Sequence, residues 1–336
     1  MIEVADSHPL AVKQLIRVGL VGTGFAAKLR ADAIAADSRS HLVAVVGHDL
    51  EKTTEFCNSF GADACDSWQS LIDLPHIDLV IVSNMSCDHG DIVEGSLLAG
   101  KQVVVEYPLS LDLAQAERLV TLARKTGLFL HVEHIELLGG LHQATKAQLP
   151  AVGQPRYVRY CTFNPQRPAA SKWTYQPSRF GFPLMGALSR IHRLADLFGP
   201  VETVACQNRY DGDQVEADHY TACLCTAQLR FASGLLAEVT YGKGEFIWSA
   251  VRSMEIHGTQ GGLIFEGDQG RLITPSGEHP IEVGSRRGLF AKDTQAVLDA
   301  LTQGTPLYVT PEASLYSLRV ADAARRSAET GQVVRV

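Results

Sequence analysis

The sequence has no long hydrophobic run. Nowhere do about 18 apolar residues follow one another, so it predicts no transmembrane helix. The first dozen residues lack the basic start and apolar centre of a signal peptide, and we interpret them as a short, poorly ordered lead-in. The seven cysteines include no CxxC pair and no Cys/His group with zinc spacing. These absences predict reduced thiols, no metal site, no membrane partner and a cytoplasmic location.

Positive charge is also scarce. The 37 Asp and Glu residues outnumber the 30 Lys and Arg residues, for a net charge of −7, which argues against nucleic acid as a partner. An anionic ligand would therefore have to meet a local basic patch. With 336 residues, the chain is too long for one ordinary hydrophobic core, and we expect two domains.

A glycine-rich turn follows the first predicted strand, residues 15–21. The turn reads Gly22-Thr23-Gly24-Phe25-Ala26-Ala27 and leads into a helix-like segment, so GxGxxA stands between strand and helix as the dinucleotide-binding motif requires. Gly22 permits the tight turn, and Gly24 lets the backbone approach a pyrophosphate at the helix N-terminus. We therefore expect cofactor contacts over residues 22–26. The alternative, a plain glycine turn, is disfavoured by the flanking segments.

The end of the second predicted strand, residues 41–49, bears on the choice between NADH and NADPH. An NAD enzyme places an acidic residue there for the ribose 2′-hydroxyl, but this strand ends in Gly47-His48, and Asp49 comes late. The missing acid and the presence of His48, with Lys52 nearby, favour NADPH, with NADH possible but less favoured. The alternative is that His48 and Lys52 are surface residues without a ligand.

Predicted strands and helices alternate up to about residue 136. This pattern predicts a parallel sheet in a dinucleotide-binding domain, residues 1–136. Ligands of such sheets lie beyond the carboxyl ends of the strands. The side chains predicted at those ends are Ser83, Asn84, Glu106, Tyr107, Glu133, His134 and Glu136. We expect cofactor contacts from five residues in this region: Ser83, Asn84, His89, Glu106 and Tyr107.

The pattern changes after about Gly139. Residues 221–231 and 235–244 read as two strands joined by a glycine-containing turn, and two segments near the C-terminus have helical spacing. We therefore expect an α/β chain in which residues 137–336 form an α+β domain with a large, open, mainly antiparallel sheet. Before its long strands lies a helical segment, residues 187–199, on which Arg190 and Arg193 share a face.

These features together resemble the glucose-fructose oxidoreductase/inositol dehydrogenase (Gfo/Idh/MocA) family. Sugar-oxidising members have Glu-Lys-Pro after the fifth strand and Asp-x-x-x-His on a helix of the second domain, and that lysine and histidine handle the proton of the alcohol. Here the lysine position, within Glu106-Tyr107-Pro108, holds Tyr107. The aspartate position holds Ser189, and the histidine position holds Arg193. The resemblance therefore implies a member that has lost its usual base for a hydroxyl.

Within that family, Glu-Tyr-Pro is similar to the biliverdin reductases, above all the cyanobacterial type. The segments at residues 131–143, 180–199 and 283–290 share this likeness. The likeness implies NADPH-dependent hydride transfer to the C10 methine of biliverdin IXα, giving bilirubin IXα. Such a substrate needs a flat pocket with aromatic and apolar walls, and cations for its two propionates.

The same likeness assigns roles to individual residues. Arg190 is expected to be catalytic, either as proton donor through a water or, more readily, as stabiliser of the substrate's charge. Tyr107 is expected to border nicotinamide and tetrapyrrole, and Glu106 to orient donors or hold a proton. The expected substrate-binding residues are Arg193, Glu133, Glu136, Trp173 and Phe182. The alternative for Trp173 and Phe182 is a place in the core, and for the two glutamates a structural role between the domains.

Two other functions stay open from the sequence. A sugar or inositol dehydrogenase would need Lys101 and His192 to replace the missing pair. A silent dinucleotide-binding regulator would need no base, and turnover of NADPH with biliverdin separates it from an enzyme. We expect a monomer or a homodimer.

Overall fold

The structure is a computed structural model that describes residues 15–212 and 218–336. The lead-in expected over the first dozen residues lies outside these ranges. Among the helices that the structure describes, none has the length and apolar character needed to cross a membrane. All seven cysteines are free thiols.

The first half of the chain forms a six-stranded sheet with the strand order β3-β2-β1-β4-β5-β6. Every neighbouring pair in it is parallel, as predicted. Its strands are β1 (Ile16–Val21), β2 (Ser40–Val46), β3 (Asp63–Ala64), β4 (Leu79–Val82), β5 (Gln102–Val105) and β6 (Leu130–Val132). The helices between them are α1 (Phe25–Ala36), α2 (Leu50–Asn58), α3 (Trp68–Ile72), α4 (His89–Leu98) and α5 (Leu113–Thr126).

The second half is built on a nine-stranded sheet with the order β14-β13-β12-β11-β7-β10-β9-β8-β15. Only β7 and β10 pair in parallel among the described strands of this sheet, so the expected antiparallel character is confirmed. Its strands are β7 (Pro155–Pro165), β8 (Val201–Asp211), β9 (Ala222–Phe231), β10 (Leu236–Gly244), β11 (Val251–Gly258), β12 (Gly262–Glu266), β13 (Gln269–Thr274), β14 (Gly277–Glu282) and β15 (Val334–Arg335). The helices are α6 (Gly140–Gln148), α7 (Pro177–Phe180), α8 (Pro183–Gly186), α9 (Ser189–Phe198), α10 (Leu289–Gln303) and α11 (Pro311–Thr330).

The two sheets differ in burial, and this explains their sequence patterns. All four residues of β4 are buried, because helices cover both faces of a parallel sheet and such strands become continuous apolar runs. In β9 buried and exposed residues alternate over most of the strand, because one face packs on helices and the other meets solvent. The first sheet is therefore enclosed, whereas the second is open on one side.

Helix α10 joins the two halves. It follows the second sheet in the chain, yet its Val297 and Leu298 pack in one core cluster with Ala27 and Ala31 of α1. The C-terminal half thus supplies part of the cover of the first sheet. The boundary between residues 136 and 137 stays a prediction.

Candidate active site

The Gly22–Gly24 loop lies where the strand order of the first sheet reverses, between β1 and β4. Gly22 has a φ of +118°, and a Cβ on it would stand 2.4 Å from the carbonyl oxygen of Ser83, so only glycine fits. A Cβ on Gly24 would meet no atom within 4 Å. This open space beside the N-terminus of α1 fits a pyrophosphate.

The residues next to Gly24 have different environments. Phe25, the first residue of α1, is 79% exposed and meets Phe290 edge-on, whereas Ala26 is half-buried. A Cβ built on Gly47, just after β2, would lie 2.8 Å from the side chain of Thr23. The glycine loop and the end of β2 are therefore in direct contact at the same edge of the sheet.

The end of β2 offers no free acid for a ribose. Asp49 caps α2, and its Oδ1 accepts a hydrogen bond of 3.1 Å from the backbone N–H of Lys52. That bond lowers the pKa of Asp49. His48 is exposed beside it. Both observations agree with the sequence argument for a phosphorylated ribose.

The residues after β4 fall into two kinds: within the described residues, Asn84 has an unpartnered atom that a cofactor could bind, whereas His89 is bonded within the protein. Asn84 Oδ1 is buried and has no hydrogen-bond partner in the described part of the chain. Its neighbour Ser83 is buried within the same turn. His89 is 1% exposed; its Nδ1 bonds to the carbonyl of Pro108 at 2.8 Å, and burial lowers its pKa. His89 therefore holds the turns after β4 and β5 together, and its contact with the cofactor stays a prediction.

Glu106 and Glu133 lie next to each other at the ends of β5 and β6. Glu106 accepts a hydrogen bond of 2.9 Å from Nε of the buried Arg30, which also binds Asp293 of α10. Burial, and then the negative charge of Glu106, raise the pKa of Glu133 well above its usual range. The neutral form of Glu133 is therefore favoured over what an exposed glutamate would show, and in that form it can donate to Glu106.

Glu133 is buried at the end of β6. It is 2% exposed, and its Oε1 accepts a bond of 2.6 Å from the N–H of Ile135. Glu133 is buried because α10 and its Asp293 pack over this end of the sheet through Arg30. The contact of Glu133 with substrate stays a prediction.

Tyr107 faces the second domain. Its hydroxyl donates to Oγ of Ser189 at 3.3 Å, and its ring is parallel to that of His134, with centroids 5.3 Å apart. His134 in turn stacks on His192 at 3.8 Å. Burial raises the pKa of Tyr107 to about 12, so Tyr107 is a neutral hydrogen-bond donor at neutral pH.

The two stacked histidines are neutral as well. Burial lowers the pKa of His134 well below its usual range and that of His192 to about 4. Their ring nitrogens bond to hydroxyls of α11, His134 Nε2 to Ser314 and His192 Nδ1 to Ser317, both at 2.8 Å. His192 is therefore a packing residue behind Tyr107.

Arg190 and Arg193 start from the same face of α9 but differ in their partners. Arg190 donates to Ser189 Oγ at 3.1 Å, and its guanidinium lies 5.1 Å from the ring centroid of Tyr241. Arg193 is 1% exposed and binds the hydroxyl of Tyr160 and, at 3.0 Å, the carboxylate of Glu136. Arg193 is thus bound by protein partners in this structure, and its contact with substrate stays a prediction.

Glu136 is the centre of a small ionic cluster. It accepts from Arg193 on one side and from Arg286 on the other. These two arginines lower its pKa, although burial opposes them. Its predicted alternative role, that of linking the two halves of the chain, agrees with this geometry.

A cavity of about 170 Å³ opens beside Ser189 and Arg190. Its wall is rich in charged side chains: Glu136, Arg190, Arg193, Arg252, Asp268 and Arg286. The predicted aromatic residues lie elsewhere: Phe182 is buried in the core, and the half-buried Trp173 packs on Phe180 with ring centroids 6.2 Å apart. Phe182 therefore takes the core position that was its alternative. No cluster of three metal-ligating side chains occurs in residues 15–212 and 218–336.

Comparison with protein families covers both halves of the chain. A family model described as an oxidoreductase family with an NAD-binding Rossmann fold matches residues 16–134. The model for the C-terminal alpha/beta domain of the same family matches residues 150–336. The chain belongs to the Gfo/Idh/MocA oxidoreductase family. The resemblance that the sequence predicted is confirmed.

Three relatives within or near this family show how far the likeness extends. The solved biliverdin reductase from Synechocystis sp. PCC 6803, in complex with biliverdin and NADP+, is 51% identical, with a TM-score of 0.91 and coverage of 94% of this chain and 99% of that one. Human biliverdin reductase A is 31% identical over 139 residues, 41% of this chain and 44% of that protein. A dTDP-3,4-didehydro-2,6-dideoxy-alpha-D-glucose 3-reductase from Actinomadura kijaniata is 26% identical over 93% of this chain and 96% of its own length.

Sequence reasoning missed two residues of this Gfo/Idh/MocA site. In the sequence, Ser189 is only the occupant of the aspartate position, yet its hydroxyl joins Tyr107 to Arg190. The second residue is Arg252 of the cavity wall. Its signal in the sequence is weak: it is an arginine next to the start of a strand whose inward positions then hold the buried Met254 and Ile256.

Proposed function

We propose that this chain is a biliverdin reductase that uses NADPH to reduce the C10 methine of biliverdin IXα, giving bilirubin IXα. One observation carries the proposal: the edge next to the dinucleotide loop presents a neutral phenol, a hydroxyl and a guanidinium, Tyr107, Ser189 and Arg190, where a sugar dehydrogenase needs a base. The 51% identity to the Synechocystis enzyme over nearly the full chain supports the same substrate.

The cofactor would be held by the open Gly22–Gly24 loop, the α1 N-terminus and the turn with Ser83 and Asn84. Bound NADPH supplies the hydride. His48, exposed at the end of β2, is positioned to favour the 2′-phosphate, because Asp49 is committed to capping α2. We therefore propose NADPH as the preferred cofactor, with NADH less favoured.

The residues of the second domain act on the substrate's nitrogens and charge. Reduction adds a hydride to C10 and one proton to a pyrrole nitrogen, so the site must supply a proton and stabilise charge as it moves. Tyr107, neutral because its pKa is raised to about 12, and Ser189 are the hydroxyl donors. Arg190 keeps its positive charge and stabilises negative charge on the bilin.

The geometry weighs against a sugar dehydrogenase. Lys101 Nζ donates to the carbonyls of Leu74 and Ile77, at the start of β5 and far along the strand from Tyr107. His192 is 3% exposed and bonded to Ser317. Neither residue can replace the missing base at the edge where Tyr107 lies.

The location and the assembly of the protein are also proposals. The free thiols of all seven cysteines agree with a reducing compartment, and we propose a cytoplasmic enzyme that acts as a monomer or a homodimer. Given the net charge of −7, nucleic acid is not an expected partner. A membrane is not an expected partner either, because the sequence has no run of about 18 apolar residues.

The test is an absorbance scan of the purified protein with biliverdin IXα and NADPH. We expect the red band of biliverdin to fall while the bilirubin band rises in the blue. Arg190→Ala should slow this change while NADPH still binds, as measured by quenching of intrinsic fluorescence. If no bilin is consumed with either nicotinamide cofactor, the proposal fails and a silent dinucleotide-binding protein becomes the better account.

A further inference from the structure

We propose that Arg252 is a specificity-determining residue that binds one propionate carboxylate of the bilin inside the arginine-lined cavity. This inference rests on the function proposed above and names the residue that recognises the substrate's acid group. It is carried by the position, the charge balance and the free guanidinium of Arg252.

The position of Arg252 beside the cavity follows from the register of the second sheet. Arg252 of β11 pairs directly with Thr162 of β7, and directly paired residues of antiparallel strands share a face. Both line the cavity, together with Ser189 and Arg190. The cavity is therefore adjacent to the serine that Tyr107 binds.

The cavity wall carries an excess of positive charge. Four arginines, at positions 190, 193, 252 and 286, face two carboxylates, Glu136 and Asp268. The difference of two positive charges equals the charge of the two propionates of biliverdin. A dicarboxylate substrate would neutralise this wall.

The four arginines are not equally available. Arg193 and Arg286 share the carboxylate of Glu136, and Arg190 donates to Ser189. The guanidinium of Arg252 makes no hydrogen bond or ion pair within residues 15–212 and 218–336, not even with Asp268 of the same wall. Arg252 is an exposed residue of the cavity wall, so a ligand can reach it.

A second polar atom in the cavity wall also lacks a partner. Thr162 is 4% exposed, and its Oγ1 has no hydrogen-bond partner among the described residues. Burial and the nearby positive charge of Arg286 lower the pKa of Arg252. A carboxylate at this place would therefore gain a hydroxyl and a guanidinium that the protein itself leaves uncompensated.

The structure of the substrate explains how a carboxylate would come to lie beside Arg252. In biliverdin IXα the propionates stand on C8 and C12, on the two rings that flank C10. When C10 is at the reacting edge near Tyr107, a propionate reaches only a few bonds further, into the space beside Ser189 and Arg190. Among the arginines of that wall, Arg252 is the one whose guanidinium has no hydrogen-bond or ion-pair partner in the described part of the protein. A methyl ester in place of the acid would remove the negative charge that it binds.

The experiment compares biliverdin IXα with its dimethyl ester. Wild type, Arg252→Gln and Arg252→Lys are each assayed for kcat and KM, and each is titrated with bilin in the presence of NADP+, where binding is read from the bilin absorbance without turnover. Arg271→Gln is the control, because Arg271 is an arginine of the same sheet that faces Glu278 at 3.7 Å outside the cavity.

We expect Arg252→Gln to raise KM and the dissociation constant for the free acid about tenfold to a hundredfold. Its kcat and its affinity for the ester should change by less than about twofold, because the carboxylate contact is the same in ground and transition state. Arg252→Lys should recover part of the loss, and Arg271→Gln should behave as wild type.

Equal affinity of wild type and Arg252→Gln for the free acid would overturn the inference. An equal loss for acid and ester would also overturn it, because the effect would then be structural. If wild type binds biliverdin but reduces none, the proposed reductase function fails, while the titration still decides whether Arg252 recognises the acid.

Discussion

The phenol of Tyr107 and the guanidinium of Arg190 bind the same atom. Oη of Tyr107 lies 3.3 Å and Nη1 of Arg190 lies 3.1 Å from Oγ of Ser189. One group comes from the end of a Rossmann strand and the other from a helix of the second domain. A serine hydroxyl can accept both bonds and still donate its own hydrogen, so Ser189 orients the two groups relative to each other.

Replacing Ser189 tests this arrangement. Ser189→Ala removes the acceptor of two hydrogen bonds and leaves Tyr107 and Arg190 free to turn. We therefore expect kcat for bilin reduction to fall about tenfold to a hundredfold, the effect of two lost hydrogen bonds of about 1 kcal/mol each. NADPH affinity should stay near wild type, and the melting temperature should fall by a few degrees, because two half-buried donors lose their acceptor. Ser171→Ala, at an exposed serine, is the control. An unchanged kcat in Ser189→Ala would show that the contact has no part in the reaction.

The two glycines of the dinucleotide loop should respond differently to alanine. Gly22→Ala forces a Cβ to 2.4 Å from the carbonyl oxygen of Ser83 at a φ of +118°, and we expect a loss of stability of about 2 kcal/mol or more. Gly24→Ala meets no protein atom within 4 Å, so its stability should be unchanged, while NADPH binding weakens about tenfold. Thermal unfolding and cofactor titration of both variants separate these effects. A stable Gly22→Ala protein would contradict the steric argument.

Acid should destabilise the protein through His192. Its pKa is about 4 in the folded protein against an ordinary 6.5, so the unfolded chain binds more protons below pH 6.5. Stability from this group is therefore complete above pH 6.5 and is lost as pH falls towards 4, by about 3 kcal/mol at 1.4 kcal/mol per unit.

The measurement is the melting temperature between pH 7.5 and pH 4.5. His192→Gln should lose less stability over that interval than wild type, whatever its starting stability. His41→Gln, at an exposed histidine of β2, should follow the wild-type curve. Parallel curves for wild type and His192→Gln would show that His192 does not carry the acid sensitivity.

The carboxyl pair of Glu106 and Glu133 leads to a prediction with the opposite pH dependence, a loss of stability as pH rises. Glu133 has a raised pKa, so its neutral form is the stable one, and stability is lost as pH rises through that pKa. Glu133→Gln mimics the neutral form and should be as stable as wild type at pH 7 and more stable under alkaline conditions. Glu106→Gln removes a counter-charge from the buried Arg30 and should cost about 3 kcal/mol. Urea unfolding at pH 7 and pH 9 gives the free energy of unfolding of both variants. If Glu133→Gln and Glu106→Gln lost the same amount of stability, the neutral form of Glu133 would be contradicted.

Local patterns were enough to predict the layout of the fold. The run before Gly22 is β1 within one residue, and the two predicted strands around the turn at residues 232–235 are β9 and β10. These elements are determined by their own periodicity and by glycine turns, both of which are visible in a short window of sequence.

Burial of the polar residues could not be predicted in the same way. Glu133 and His89 stand at strand ends or beside them, where ligands bind, but what covers them comes from distant parts of the chain. Arg30 and Asp293, for example, are 263 residues apart and meet in a buried ion pair. The positions of Ser189 and Arg252 could not be predicted for the same reason. Ser189 contacts Tyr107, and Arg252 pairs with Thr162, and in both cases the partner comes from another element of the fold.

Because α10 packs against α1, the cofactor-binding unit consists of two segments that are separate in the sequence. A fragment ending near residue 136 would expose Ala27, Ala31 and the rest of the α1 face that Val297 and Leu298 cover. It would also leave Arg30 without the carboxylate of Asp293. An exchange of cofactor domains between relatives would therefore have to transplant two pieces, the N-terminal half and residues 289–303, and a single crossover would yield a protein that does not fold well.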